Sequence, residues 1–191
     1  MSYKILSSIL TRRLQNIAEH YKLFDEAQEG FRFQRSTRRQ VERLKMTLHS
    51  LRRAKAKAYV TYIDFENAFN SCDIDAIFEI LKVWKVPDLD LLREIYIGSN
   101  FSAQIGEHKS ARIPLTRGVK QGDPASPTLF NLVINMALRM FSLSNTASKL
   151  DNSEIINSAA FADDMALITT TEGDMNFMLN HVHTHFVTGA I

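Results

Sequence analysis

Three carboxylates stand where packing gives them no role. Asp64 closes the apolar run Ala58-Tyr-Val-Thr-Tyr-Ile63, and Asp163-Asp164 separates two further apolar stretches, Glu154 to Phe161 and Met165 to Thr171. Aspartates are at home in turns, and a lone one can cap a helix or join a salt bridge. A chemical reading stands beside that one. Carboxylates gathered at strand ends repel one another and stay ionised only with a cation between them. Mg²⁺ suits such a place, since it takes one or two carboxylates and completes its shell with water and phosphate oxygens. Two such ions are the apparatus of in-line phosphoryl and nucleotidyl transfer, so these residues ask for a nucleotide.

The elements that must position them can be traced by periodicity. Ile5, Ile9, Leu10, Leu14, Ile17 and Ala18 predict a helix from Lys4 to Tyr21, and Val41, Leu44, Leu48 and Leu51 predict a second with one apolar stripe. The β-branched and aromatic run from Ala58 to Phe65 predicts a strand. Ser71 or Asp73 can cap a helix that ends before Pro87, and a short helix follows from Asp88 to about Ile97. Phe101 to Ile105 and Ala111 to Leu115 predict a hairpin about a turn of Gly106 to Lys109. A loop from Arg117 to Pro127 feeds a helix to Phe141, with proline in its first turn. Strands over Glu154 to Phe161 and Met165 to Thr171 meet at the aspartate pair, and a last helix spans roughly Asp174 to Phe186. The mixture predicts an α+β fold, helices layered on an antiparallel sheet.

The 191 residues are 45% hydrophobic and 23% charged, which excludes extended disorder as a description of the whole. The one cysteine, Cys72, has no internal partner, as expected in a reducing compartment. No apolar run approaches the roughly 20 residues of a membrane span, so no membrane partner is expected. The net charge of +2 conceals an asymmetry, for between Arg32 and Lys57 ten Lys/Arg face one acid, Glu42. That block fits a solvated helix face or a track for a polyanion, nucleic acid first. His181, His183 and His185 alternate so that only the outer pair shares a helix face, which makes a poor metal set.

Three segments, Tyr62-Ile-Asp-Phe-Glu-Asn-Ala-Phe69, Arg117-Gly-Val-Lys-Gln-Gly-Asp-Pro-Ala-Ser-Pro-Thr-Leu-Phe130 and Phe161-Ala-Asp-Asp164, resemble in order and spacing the palm motifs of reverse transcriptases, most closely those of non-LTR (LINE-type) retrotransposons. Tyr3-Lys-Ile-Leu-Ser-Ser-Ile-Leu-Thr-Arg-Arg-Leu14 and Gln28-Glu-Gly-Phe-Arg32 with Ser36-Thr37 resemble the preceding fingers motifs, so the likeness covers nearly the whole chain.

The resemblance implies a polymerase fingers-palm fold: residues 1–57 as partial, basic fingers and 58–191 as palm, with a fingers insertion around 72–115 and an end before any thumb. It implies RNA-directed DNA polymerase activity with two Mg²⁺ ions, dNTPs, an RNA template and a DNA primer. Asp64 and Asp163 would be the principal ligands, Asp164 would complete the acidic cluster and the Phe65 carbonyl would be an extra ligand. Phe69 would pack under the sugar of the incoming nucleotide and leave no room for a 2′-hydroxyl. Gln121 and Gly122 would contact nucleotide and template, with Lys120 adding charge at the nucleotide. Arg32, Arg35, Arg38 and Arg117 would contact nucleic acid.

Asn67 and Asn70 depart from the family pattern, which has lysine and aspartate there; neither change removes a metal ligand. Two rival expectations remain: a catalytically inactive remnant that only binds RNA through the basic block, and an RNA-dependent RNA polymerase, which Phe69 disfavours. Family analogy places the activity inside the cell, in a nucleus.

Overall fold

The computed structural model describes residues 2–97, 99–144, 149–150 and 153–188. In chain order the elements are α1 (Ser2–His20), α2 (Thr37–Arg53), β1 (Tyr59–Ile63), α3 (Ala68–Ser71), α4 (Ile74–Val83) and α5 (Leu89–Tyr96). Four short strands follow, β2 (Asn100–Phe101), β3 (Gln104–Ile105), β4 (His108–Lys109) and β5 (Ile113–Pro114), then α6 (Ser126–Leu143). The chain continues through β6 (Lys149–Leu150), β7 (Ser153–Glu154), β8 (Ser158–Phe161), β9 (Asp164–Thr169) and α7 (Glu172–Thr188).

The main sheet is antiparallel, in the order β1-β9-β8. Its two faces are told apart by alternation along β9. Met165 and Leu167 join the large core with Leu10, Leu14, Phe78, Met178 and Phe186, whereas Ile168 joins a small cluster with Leu51 and Ile155. Through that core runs α6, with Leu129, Phe130, Leu132, Val133, Ile134, Ala137, Leu138 and Phe141 all buried. Apolar burial around most of its circumference marks α6 as the central helix on which the rest packs.

Local chemistry explains the boundaries. The Ser36 side chain accepts from the Arg39 N–H and starts α2, and Asp73, the second of two candidate caps, accepts from the N–H groups of Asp75 and Ala76 to start α4. The expected hairpin is two nested ladders, β2 with β5 and β3 with β4, closed by the two-residue turn Gly106-Glu107. His108 and Lys109, expected in the turn, therefore belong to a strand.

Two expectations are corrected. Of the α2 stripe only Leu51 is buried; Val41 is exposed, and the polar Gln40 and Thr47 are buried instead. The reason is a contact that outranks apolar area: Gln40 Nε2 donates to the carbonyls of Ala27 (2.6 Å) and Ala160 (3.3 Å), fixing the helix in that rotation. The strand expected over Glu154 to Phe161 is broken, with β7 pairing to β6 and only β8 entering the sheet. At the break, buried Asn157 donates to the Phe141 carbonyl at the end of α6.

Candidate active site

The sheet gathers the acidic residues at one end. The last β1–β9 pair is Ile63 with Met165, and Asp64 follows at once. β8 and β9 are joined by the two-residue turn Ala162-Asp163, with Phe161 paired to Asp164. Asp64 keeps the parity of Tyr62, and Asp164 that of Ala166. Both line one cavity of about 320 Å³, whose opposite wall is Thr37, Gln40, Val41 and Leu44 of α2. Asp163 sits half-buried in the turn.

Among the described residues no three or more His, Cys, Asp or Glu stand close enough together to hold one ion. Asp64 and Asp164 opening on a shared cavity nevertheless fit a hard cation that takes one or two carboxylates and leaves its other positions to water and phosphate.

The turn itself is unusual. Ala162 has φ +58°, backbone that an L-residue with a Cβ rarely adopts. One positive φ at the first turn position is the pattern that normally calls for glycine. The buried Gln28 side chain meets both backbone groups of this residue: Oε1 accepts from the Ala162 N–H at 3.0 Å and Nε2 donates to its carbonyl at 3.2 Å.

Phe69 lies in α3, its ring stacked on Phe130 at 4.4 Å and edge-on to Phe31 at 6.2 Å. The loop before α6 is fastened to α3, with the Gly118 N–H donating to the Cys72 carbonyl and the Val119 N–H to the Phe69 carbonyl, each at 2.8 Å. Gly118 has φ +81°, and a Cβ there would come within 2.7 Å of Asn70 Cα, so both conformation and space require glycine. Gln121, exposed, donates to Asn70 Oδ1 at 3.4 Å, and the space beside Gly122 is open. Lys120 is turned inward. Its ammonium donates to the Tyr3 hydroxyl at 2.9 Å and to the Ile95 carbonyl, and lies over the Tyr3 and Tyr96 rings at 4.9 and 4.6 Å. Burial lowers its pKa from the ordinary lysine value. With Asn70 and Gln121 it lines a cavity of about 730 Å³.

Asp123, which no sequence motif assigns a role, is buried and accepts from the Ser7 hydroxyl at 2.6 Å, the Ala125 N–H at 2.8 Å and the Tyr3 hydroxyl. It ties the loop to α1. The signal available was an acid next to a glycine and a proline in a loop otherwise rich in small residues.

The arginines divide. Arg32, expected at nucleic acid, is instead committed inside the protein: its side chain is 2% exposed, paired two-pronged with Glu19 at 2.7 and 2.8 Å, and bonded to the carbonyls of Asp25 and Gln28. Arg35 is mostly buried and pairs with Glu26 and with the buried Glu29. Both settle acids that precede the basic block, which their charge alone did not reveal. Arg38 is 88% exposed and, among the described residues, bound only to its helical neighbour Glu42, and Arg117 is also exposed. Of the histidines, the rings of His181 and His185 stack at 6.2 Å and His185 Nε2 lies 3.4 Å from the Val133 carbonyl, an arrangement of core packing.

A family model described as reverse transcriptase (RNA-dependent DNA polymerase) matches residues 1–188. The chain belongs to that family. It is 36% identical over 124 residues to the Pol polyprotein of the type-2 retrotransposable element R2DM of Drosophila melanogaster, covering 64% of this chain and 12% of that protein. It is 28% identical over 174 residues to the R2 polyprotein of Nasonia vitripennis, covering 90% and 17%, and 24% identical over 170 residues to the polymerase of the mobile element jockey of Drosophila melanogaster, covering 88% and 18%. Within the family it is thus a reverse transcriptase domain of the non-LTR retrotransposon kind. It spans less than a quarter of the length of these relatives.

The fold matches telomerase from Candida tropicalis in complex with a TWJ fragment of telomeric RNA, with a TM-score of 0.69 at 11% identity over 95% of this chain and 32% of that one. Telomerase from Candida albicans gives 0.63 at 13% identity, over 95% and 31%. Among the described residues no helix is long and apolar enough to cross a membrane.

Proposed function

We propose that this chain is the fingers and palm of an RNA-directed DNA polymerase, residues 1–57 and 58–191, which adds dNTPs to a DNA primer on an RNA template. The observation that carries the reading is that Asp64, just past the end of β1, and Asp164, which opens β9 next to Asp163, line one cavity at the end of the sheet, in a chain of this family. Asp64, Asp163 and Asp164, with the Phe65 carbonyl, are the groups that would hold two Mg²⁺. Bound there, the ions supply charge stabilisation at the α-phosphate and a lowered pKa for the primer hydroxyl.

The remaining roles belong to the chain itself. Phe69, braced from behind by Phe130, offers a rigid apolar surface to a deoxyribose and no partner to a 2′-hydroxyl. Gln121 can donate and accept at the nucleotide, and the open backbone at Gly122 allows close approach. Lys120 holds the loop against Tyr3 and Tyr96 beside that place. Arg38 and Arg117 remain as cations for the nucleic-acid backbone, whereas Arg32 and Arg35 support the fingers from within. By analogy with its relatives, the chain works in a nucleus.

Primer extension on an RNA template, with Mg²⁺ and dNTPs or rNTPs in parallel, tests this. Extension with dNTPs alone, abolished when Asp163 and Asp164 are both changed to Asn, is the expected result. Unchanged extension by the double variant would remove the site assignment, and a folded chain that binds RNA but extends nothing would leave RNA binding as its function.

A further inference from the structure

We propose that Gln28 is the positioning residue of the carboxylate turn: its side-chain amide holds Ala162 in left-handed backbone and thereby sets where Asp163 and Asp164 present their oxygens. The inference deepens the reading that these aspartates hold Mg²⁺ and rests on it.

Gln28 is fully buried, yet its amide is spent on backbone. Oε1 accepts from the N–H groups of Ala162 at 3.0 Å and Gly30 at 2.8 Å, while Nε2 donates to the Ala162 carbonyl at 3.2 Å. One amide thus matches both polar groups of one residue, as the peptide of an adjacent strand would. The main chain on either side continues the match: the Ala160 N–H donates to the Ala27 carbonyl at 2.8 Å, the Glu29 N–H donates to the Ala160 carbonyl at 3.0 Å, and Gln28 forms a parallel bridge with Ala160. Gly30 lets the clamp close, because a Cβ there would lie 2.3 Å from the Ala162 nitrogen.

The clamp is itself anchored. From α2, Gln40 bonds to the carbonyls of Ala27 and Ala160, and from α6, Asn131 donates to the Gly30 carbonyl at 2.7 Å. A residue at φ +58° with a Cβ relaxes unless its surroundings over-determine it. Relaxation at Ala162 would swing the next two residues, which carry the carboxylates. A site in which orientation decides affinity depends on partners of this kind, and removing one typically weakens metal binding by roughly tenfold or more.

The test measures binding of Mn²⁺ alone to the chain by electron paramagnetic resonance, with circular dichroism and RNA affinity as controls. Gln28→Glu keeps the shape and turns an oxygen toward the Ala162 carbonyl; Gln28→Met removes both polar atoms. Each is expected to weaken Mn²⁺ binding roughly tenfold and leave RNA affinity unchanged. Ala162→Gly, which adopts positive φ without help, is expected to restore both the melting temperature and Mn²⁺ binding in the Gln28→Met background. Mn²⁺ affinity that stays within about twofold in folded Gln28→Glu, with only the melting temperature lowered, would overturn the proposal, as would a Gln28→Met/Ala162→Gly chain that recovers neither property. If changing Asp163 and Asp164 to Asn does not itself weaken Mn²⁺ binding, the metal reading falls, and this inference with it.

Discussion

Ser7 in the first helix donates its hydroxyl to Asp123 at 2.6 Å, across more than a hundred residues of sequence. With the Tyr3 hydroxyl and the Ala125 N–H on the same carboxylate, this bond fixes the loop that carries Gln121 and Gly122 to α1. Asp123→Ala would strand two hydroxyl donors and free the start of α6. A destabilisation of about 2–4 kcal/mol is expected, against about 1 kcal/mol for Ser7→Ala, measured by urea denaturation.

Phe69 is held on one side by the Phe130 ring at 4.4 Å. Phe69→Val keeps an apolar residue and opens space beside the site. In primer extension the preference for dNTP over rNTP should fall at least about tenfold, the order expected when a single steric exclusion is lifted. Stability should fall by about 1–3 kcal/mol, because Phe69 is only partly buried.

The arginines separate binding from folding. Arg38→Ala with Arg117→Ala should weaken RNA binding and flatten its dependence on salt by about 0.7 in log–log slope for each phosphate that is no longer neutralised. Arg32→Ala should instead cost about 3 kcal/mol of stability, since it leaves Glu19 and two carbonyls without their partner. Filter binding across a salt series, set beside thermal melts, distinguishes the two.

Burial holds the His185 imidazole below its ordinary pKa, and its neighbour His181 adds to the effect. As pH falls below about 6.5 the unfolded chain takes up a proton that the folded chain resists, so stability present above that pH is lost on acidification. The melting temperature should drop between pH 7.5 and 5.5, and His185→Phe should shrink that drop.

Much of this was legible in the sequence because apolar periodicity and capping residues agree with the fold. α4 starts at one of the two caps its sequence offered, and the carboxylate turn falls where two apolar runs meet. What could not be read was partnership. A count of charges cannot tell that Arg32 faces Glu19 in the preceding helix, whereas Arg38 faces water. Nor does α2 follow its apolar stripe, since the Gln40 amide bonds decide its rotation. The role of Gln28 was hidden for the same reason: an amide with no periodicity of its own becomes informative only when Ala162 is beside it.

The order of the main sheet bears on how the chain reaches this state. Its central strand, β9, pairs with β1 from about a hundred residues earlier, and only the β8 pairing is local. Closing so large a loop is entropically slow, so the hairpin bearing Asp163 and Asp164 can form well before β1 docks. On that order Asp64 reaches the end of the sheet after the hairpin, and during synthesis not until β9 has left the ribosome. Until then the nascent chain presents its basic helix without a complete acidic edge.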